Sequence, residues 1–256
     1  MRVVVLFKQT LTSEARIVLD ASGAIQDAKI KRIVNPYDEF AVEEAVALRE
    51  KGVVEHVTVV TLGPQSAVEA CRQCLAMGAD EAVLIDDADI ETADSYSVAE
   101  VLGAALKTME FDLLLAGYVA VDDNAAQVAV RVAEILALPQ INVVSKIELS
   151  DGKVTANREA DGQTEVLTTT LPAMVTTDKG INKPRYPTLP NIMKAKKKPL
   201  ATKTLADLGI AAPAAKVKIV EYGVPPAKQG AKIFSGTPSE AAAQLADALR
   251  NEAKVI

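Results

Sequence analysis

Four short apolar runs, each followed by a helical stripe, constrain this chain more than any other feature. The runs are RVVVLF (2–7), HVTVVTLG (56–63), EAVLID (81–86) and DLLLAG (112–117). They are short for buried helices and too evenly apolar for strands with one wet face. Strands of this kind are covered on both faces, as in a parallel sheet layered between helices. The intervening segments supply the helices. YDEFAVEEAVALREKG (37–52) carries apolar residues at 41, 42, 45, 46 and 48 and stops at Gly52. PQSAVEACRQCLAMG (64–78) opens on Pro and ends on Gly. SYSVAEVLGAALKTM (95–109) follows Asp94, a good cap, and DNAAQVAVRVAEILAL (123–138) reads as a fourth helix. The expected fold is α/β, a doubly wound and mainly parallel sheet.

The pattern changes near residue 141. Period-two stretches are broken by SDGK and ADGQ, which predicts an antiparallel meander. A Pro-rich basic arm follows at about 178–198. Residues 201–235 read as an extended tail with a strand at KVKIVEYG (216–223), and PSEAAAQLADALRNEAKVI (238–256) as an amphipathic helix. The expected division is an α/β domain over 1–200 and an extension over 201–256 that needs a partner to lie against.

The chain has 256 residues, enough for one large domain plus an extension. Its net charge of −6, from 34 acids against 28 bases, argues against nucleic acid as a partner. Its apolar runs fall far below the ~18 residues of a membrane span. The opening MRVVVLFKQT lacks a signal-peptide layout, so a cytoplasmic protein is expected. Cys71 and Cys74 form a C-x-x-C, but they share a helix face with Leu75 and read as buried apolar residues. No second cysteine pair completes a zinc site, and no metal site is expected. His56 opens a strand and reads as structural.

Parallel α/β sheets bind ligands where strands end and helices begin. Those junctions read VLFKQ, NPYDE, TLGP and AGYVAVDDNAAQ. There is no G-x-G-x-x-G and no Walker lysine. DDNAAQ leaves two readings open: main-chain amides for a phosphate, or Asp122 or Asp123 simply capping a helix. READG (158–162) reads as solvated turn charge. In the arm RYPTLPNIMKAKKKPL (185–200), Lys194, Lys196, Lys197 and Lys198 mark an exposed segment. Leu189, Ile192 and Met193 are apolar where an idle loop would be polar. Partner recognition is the favoured reading.

The stretch VTANREADGQTEVLTTTLPAMVTTDKGINKPRYPTLPNIMKAKKKPL closely resembles the beta subunit of electron transfer flavoprotein. So do NPYDEFAVEEAVALREKG, LAMGAD and the terminal LRNEAKVI. The resemblance spans essentially the whole chain. It implies an electron carrier, not an enzyme, with no catalytic residue. It implies a Rossmann-like adenine-nucleotide-binding fold, a heterodimer with an alpha subunit, and FAD held mostly by alpha. Electrons would come from acyl-CoA and related dehydrogenases and pass to a membrane quinone oxidoreductase. The beta subunit would bind AMP.

The family's AMP-contacting segments match Leu6, the stretch Asn35, Pro36, Tyr37 and Asp38, and Leu62. They also match Asp122, Asp123, Asn124, Ala125, Ala126, Gln127, Val128, Ala129, Val130 and Arg131. Tyr37 matches an aromatic near the flavin ring. The resemblance makes the arm a recognition loop, with Leu189 as its anchor beside Pro190, Ile192, Met193 and Lys194. Glu159 matches an acid that pairs with an alpha-subunit arginine. Family members commonly carry Gly at Ala129. Bifurcating relatives, which bind a second FAD in place of AMP, often read DGDTAQVG, and DDNAAQVA matches neither group well. A second, redox-active FAD is the alternative within the family, and an adenylate-handling hydrolase the alternative outside it.

Overall fold

The computed structural model describes residues 1–26, 30–86, 93–227 and 230–256. They divide into two units, Met1–Glu221 and Tyr222–Ile256. The first begins with strand β1 (Arg2–Leu6). A small antiparallel pair, β2 (Gln9–Leu11) and β3 (Arg32–Val34), leads into helix α1 (Pro36–Glu50). Next come β4 (His56–Gly63), α2 (Val68–Met77), β5 (Glu81–Asp86), α3 (Ser95–Leu106), β6 (Leu113–Gly117) and α4 (Val128–Ile135). Then β7 (Gln140–Ser150), β8 (Lys153–Ala160) and β9 (Gln163–Thr170) form the antiparallel meander. β10 (Ala173–Thr177), α5 (Leu189–Ala195) and β11 (Leu200–Lys203) complete the unit.

Nine strands form one sheet, in the order β11-β5-β4-β1-β6-β10-β7-β8-β9. β1 pairs in parallel with β4 on one side and β6 on the other. The chain steps outward from β1 to β4 to β5, then crosses through α3 to β6 on the opposite side. The winding reverses between β1 and β6, and their carboxyl ends are where sheets of this kind form a ligand crevice.

The double burial expected of the apolar runs is present. Val3, Val5, Val57, Val59, Leu113 and Leu115 pack with α1 and α2 on one face. Val4, Leu6, Val60, Leu114 and Ala116 pack with α3 and α4 on the other. Burying each such side chain contributes roughly 1.5–3 kcal/mol, so this two-faced core dominates the unit's stability. Cys71 and Cys74 lie within the α1–α2 face, fully buried and unpaired with each other. Burial pushes the Cys71 thiol up to about 12 and Cys74 well above its ordinary range. α3 starts as expected, with Asp94 and Ser97 capping each other's amides.

Three sequence expectations need correction. The fourth helix starts at Val128, not 123, because Asn124 and Ala126 both adopt positive φ of 53°. A backbone in that region cannot continue a right-handed helix. The meander has three antiparallel strands, while β10 returns between β6 and β7 and runs parallel to both. The tail strand lies at Leu200–Lys203, paired with β5, and residues 216–223 form none. There the amides of Lys216 and Val217 donate to Asp94 Oδ2 at 2.6 and 2.9 Å, which anchors the tail to the start of α3.

The second unit contains helix α6 (Pro238–Asp247), with Thr237 and Glu240 forming a capping box and Pro238 in the first turn. None of its residues is buried, although Leu245 is apolar. Among the described residues, no helix is long and apolar enough to cross a membrane.

Candidate nucleotide crevice and docking arm

The crevice is organised by Asp38, in the first turn of α1. Its Oδ2 accepts the Lys8 amide at 2.7 Å and its Oδ1 the Gly117 amide at 2.9 Å. One carboxyl thus ties the end of β1 to the end of β6, across the reversal. Gly117 is required by this approach: a Cβ there would stand 2.5 Å from Asp38 Oδ1 and 2.6 Å from the Tyr37 carbonyl carbon. Asn35 repeats the tie one step outward. Its Nδ2 donates to Val119 O at 2.9 Å, and its Oδ1 accepts from the Val121 amide at 3.2 Å. Both residues are buried, so these bonds are shielded from water.

Burial raises the Asp38 carboxyl from its ordinary 3.8 to about 7, against the pull of the two amides, Asn35 and Lys8. Between those values the folded chain keeps a proton that the unfolded chain releases. Stability contributed by this group therefore falls as pH rises from about 4 to about 7. Asp38→Asn carries no such proton, and its drop in urea midpoint between pH 5 and pH 8 is expected to be smaller than the parent's. Its amide can accept from only one of the two backbone donors, so at pH 5 it should be less stable by ~1–3 kcal/mol. Equal pH dependence in the two proteins would show that Asp38 is ionised throughout.

Residues 121–127 lead from β6 into α4. Lys8 Nζ lies 2.8 Å from Asp122 and 3.0 Å from Asp123. Burial works against the ammonium charge, but the two carboxylates outweigh it and hold the Lys8 pKa above its ordinary value. Asp122 also accepts the Asp123 amide, and Asp123 the Ala125 amide. Neither aspartate caps α4, whose N-cap is Gln127. The first helical bond runs from the Arg131 amide to Gln127 O, so the amides from Gln127 to Val130 have no acceptor within their own helix. Leu6 joins the apolar cluster on the α3–α4 face, with Leu62, Val128 and Ala129 packed against it. Tyr37 meets Tyr118 edge to face, ring centroids 4.9 Å apart.

Leu6, Asn35 to Asp38, Leu62 and the 122–131 stretch thus gather around the carboxyl ends of β1, β4 and β6. Glu159 lies elsewhere, exposed on β8, where both its oxygens accept from Thr164. The arm is a third location. Thr188 caps α5, and Tyr186, Leu189, Ile192 and Met193 are exposed. The basic cluster is divided: Lys194, Lys196 and Lys197 face solvent, whereas Lys198 Nζ donates to Leu75 O and Gly78 O at the end of α2. A cleft of about 540 Å³, lined by Arg2, Phe111, Asp112 and Leu138, lies at the amino ends of the strands, away from these junctions. Among the described residues no cluster of His, Cys, Asp and Glu could hold a metal ion.

A family model described as the electron transfer flavoprotein domain matches residues 22–208. The chain is 45% identical to the electron transfer flavoprotein subunit beta of Bacillus subtilis (strain 168), with all of both chains covered. It is 44% identical to the subunit of that name from Syntrophomonas wolfei, covering 100% of this chain and 98% of that one. The Homo sapiens subunit beta is 40% identical over 82% of this chain and 84% of its own. The chain belongs to the electron transfer flavoprotein family, among its beta subunits.

Two features of this family member escaped the sequence. Lys8 and Gly117 act through contacts to residues far along the chain, and only their position at strand ends hinted at them. Ala129 packs its methyl against the α3–α4 apolar cluster. Lys8→Met should release the 121–127 segment. Half-exposed ion pairs are worth up to ~1 kcal/mol, so amide exchange there should quicken about fivefold while β1 and β6 stay protected. Unchanged exchange would mean that Asn35 alone holds the segment.

Proposed function

We propose that this chain is the nucleotide-holding half of a heterodimeric electron carrier. The observation that carries this reading is the convergence of the family's AMP-contacting segments on the crevice between β1 and β6. Leu6, Leu62 and Val128 offer an apolar wall for an adenine. The amides from Gln127 to Val130 suit a phosphate. Lys8 offsets one of the two negative charges of Asp122 and Asp123, so a phosphate there relies on the main-chain donors. The Ala129 methyl sits against the core and leaves the adjoining amides open. AMP in this place has no redox part; it fills and stiffens the crevice.

Electron transfer belongs to FAD held mostly by an alpha subunit. Tyr37 and Tyr118, at the mouth of the crevice, would supply an aromatic edge toward the flavin. Glu159 would pair with an arginine of alpha and restrain its flavin-carrying part. The extension after residue 200 would lie on alpha, which accounts for an α6 with no buried residue. Acyl-CoA and related dehydrogenases would donate electrons, and a membrane quinone oxidoreductase would receive them. The carrier would work in the cytoplasm.

The decisive measurement is the cofactor content of the purified heterodimer. Denaturation should release one AMP, identified by mass, and one FAD, counted by visible absorbance. Two FAD and no AMP would replace this reading with the bifurcating one.

The docking reading of the arm has its own test. Leu189 is 73% exposed on a helix stiffened by Pro190. Burying it in a dehydrogenase cavity would contribute roughly 1.5–3 kcal/mol. Leu189→Ala should therefore raise the KM for the carrier about 10- to 100-fold, with little salt dependence and normal flavin content. Lys194, Lys196 and Lys197 act on encounter, so their effect should fade as salt rises. A Leu189→Ala carrier reduced as efficiently as the parent would show that the arm is not the docking element.

A further inference from the structure

The arm's geometry comes from outside the arm. A seven-residue helix is too short to hold its own shape in water. Its two ends are instead fastened to two different helices of the core.

On the amino side, the Arg185 guanidinium forks onto two acids of α1. Nε and Nη2 lie 2.8 and 2.9 Å from the two oxygens of Glu43, while Nη1 and Nη2 lie 2.6 and 2.9 Å from those of Glu50. The Arg185 amide also donates to Glu43 at 3.1 Å. Glu43 is buried, so this contact is shielded far more than a surface pair. Asn182 adds bonds of 3.0 Å to Phe40 O and Glu44. All four partners lie on α1, whose first turn carries Tyr37 and Asp38 at the crevice.

On the carboxyl side, α5 and α2 cap each other. Arg72 of α2 donates at 2.7 Å to Ala195 O and Lys198 O, at the end of α5. Lys198 reaches back to Leu75 O at 3.0 Å, Gly78 O at 3.2 Å and Ala79 O, at the end of α2. Each cation satisfies carbonyls that the other helix leaves open and meets the negative end of its dipole. Neither cap survives if the two helices separate.

We propose that Arg185 and Arg72 are positioning residues for dehydrogenase docking. They hold the row Tyr186, Leu189, Ile192 and Met193 in its bound geometry before the partner arrives, without touching the partner. This rests on the arm being the docking element. Docking then avoids the ordering of a mobile loop, which otherwise opposes binding.

The test uses the intact heterodimer as electron acceptor for an acyl-CoA dehydrogenase of the same organism, with its acyl-CoA substrate and a terminal dye. Arg185→Gln and Arg72→Gln are expected to raise the KM for the carrier about three- to tenfold. kcat, flavin content and the rate of dithionite reduction should stay at parental values. Amide exchange should quicken across 178–198 and nowhere in β1, β4 or β6. Glu50→Ala removes only the exposed half of the fork and serves where Arg185→Gln folds poorly; it should give a smaller rise in the same direction. If Leu189→Ala raises KM while all three variants match the parent, the positioning role is overturned and the docking reading stands. If Leu189→Ala itself has no effect, both fall.

Discussion

The carboxyl of Asp38 is the point on which the crevice depends. A doubly wound sheet leaves its carboxyl end open where the winding reverses, because no crossover helix spans that gap. Here β1 and β6 border the gap, and their terminal amides, Lys8 and Gly117, both donate to this one side chain. Close approach of α1 requires a residue without a Cβ at Gly117, and the approach excludes water from the carboxyl. The same exclusion shields the hydrogen bonds and makes the negative charge costly. Asn35 and Lys8 then extend the tie to the 121–127 segment, so that segment's placement follows from the knot beneath it.

α1 has a second role. Its first turn holds the crevice together, and Glu43, Glu44 and Glu50 further along it carry the base of the arm. The crevice and the arm are therefore mounted on one fifteen-residue helix. α2 completes the mounting through its reciprocal caps with α5. The acidic character of α1 is not idle solvated charge, since three of its glutamates are spent on Arg185 and Asn182.

Much of this fold is legible in the sequence because double burial leaves a strong trace. Runs such as EAVLID and DLLLAG permit few other interpretations. What is missed is missed for identifiable reasons. Ala126 at positive φ carries no turn signal, so the sequence pattern starts α4 five residues early. LATK is too short and mixed to read as a strand, and it is one only because β5 offers an edge. KVKIVEYG alternates like a strand but pairs with none among the described residues, and Asp94 takes two of its amides. The junction segments were legible because strand ends meet helix starts at regular places in such sheets. Asp38 as their knot was not, because it bonds residues 30 and 79 positions away. Lys198 is indistinguishable in the sequence from Lys196 and Lys197; tertiary contact alone separates a cap from a solvated charge.

Cys71 and Cys74 have a practical consequence. Reactivity toward alkylating reagents needs an accessible thiolate, and both thiols are sealed in the α1–α2 face with that form disfavoured. Toward thiol-directed reagents the folded chain is therefore expected to behave as a cysteine-free protein. A single cysteine introduced at an exposed arm position, such as Lys196, would be the one site that a maleimide dye or spin label modifies. The mobility of the arm can then be read from that one label on the natural core, with both native cysteines left in place.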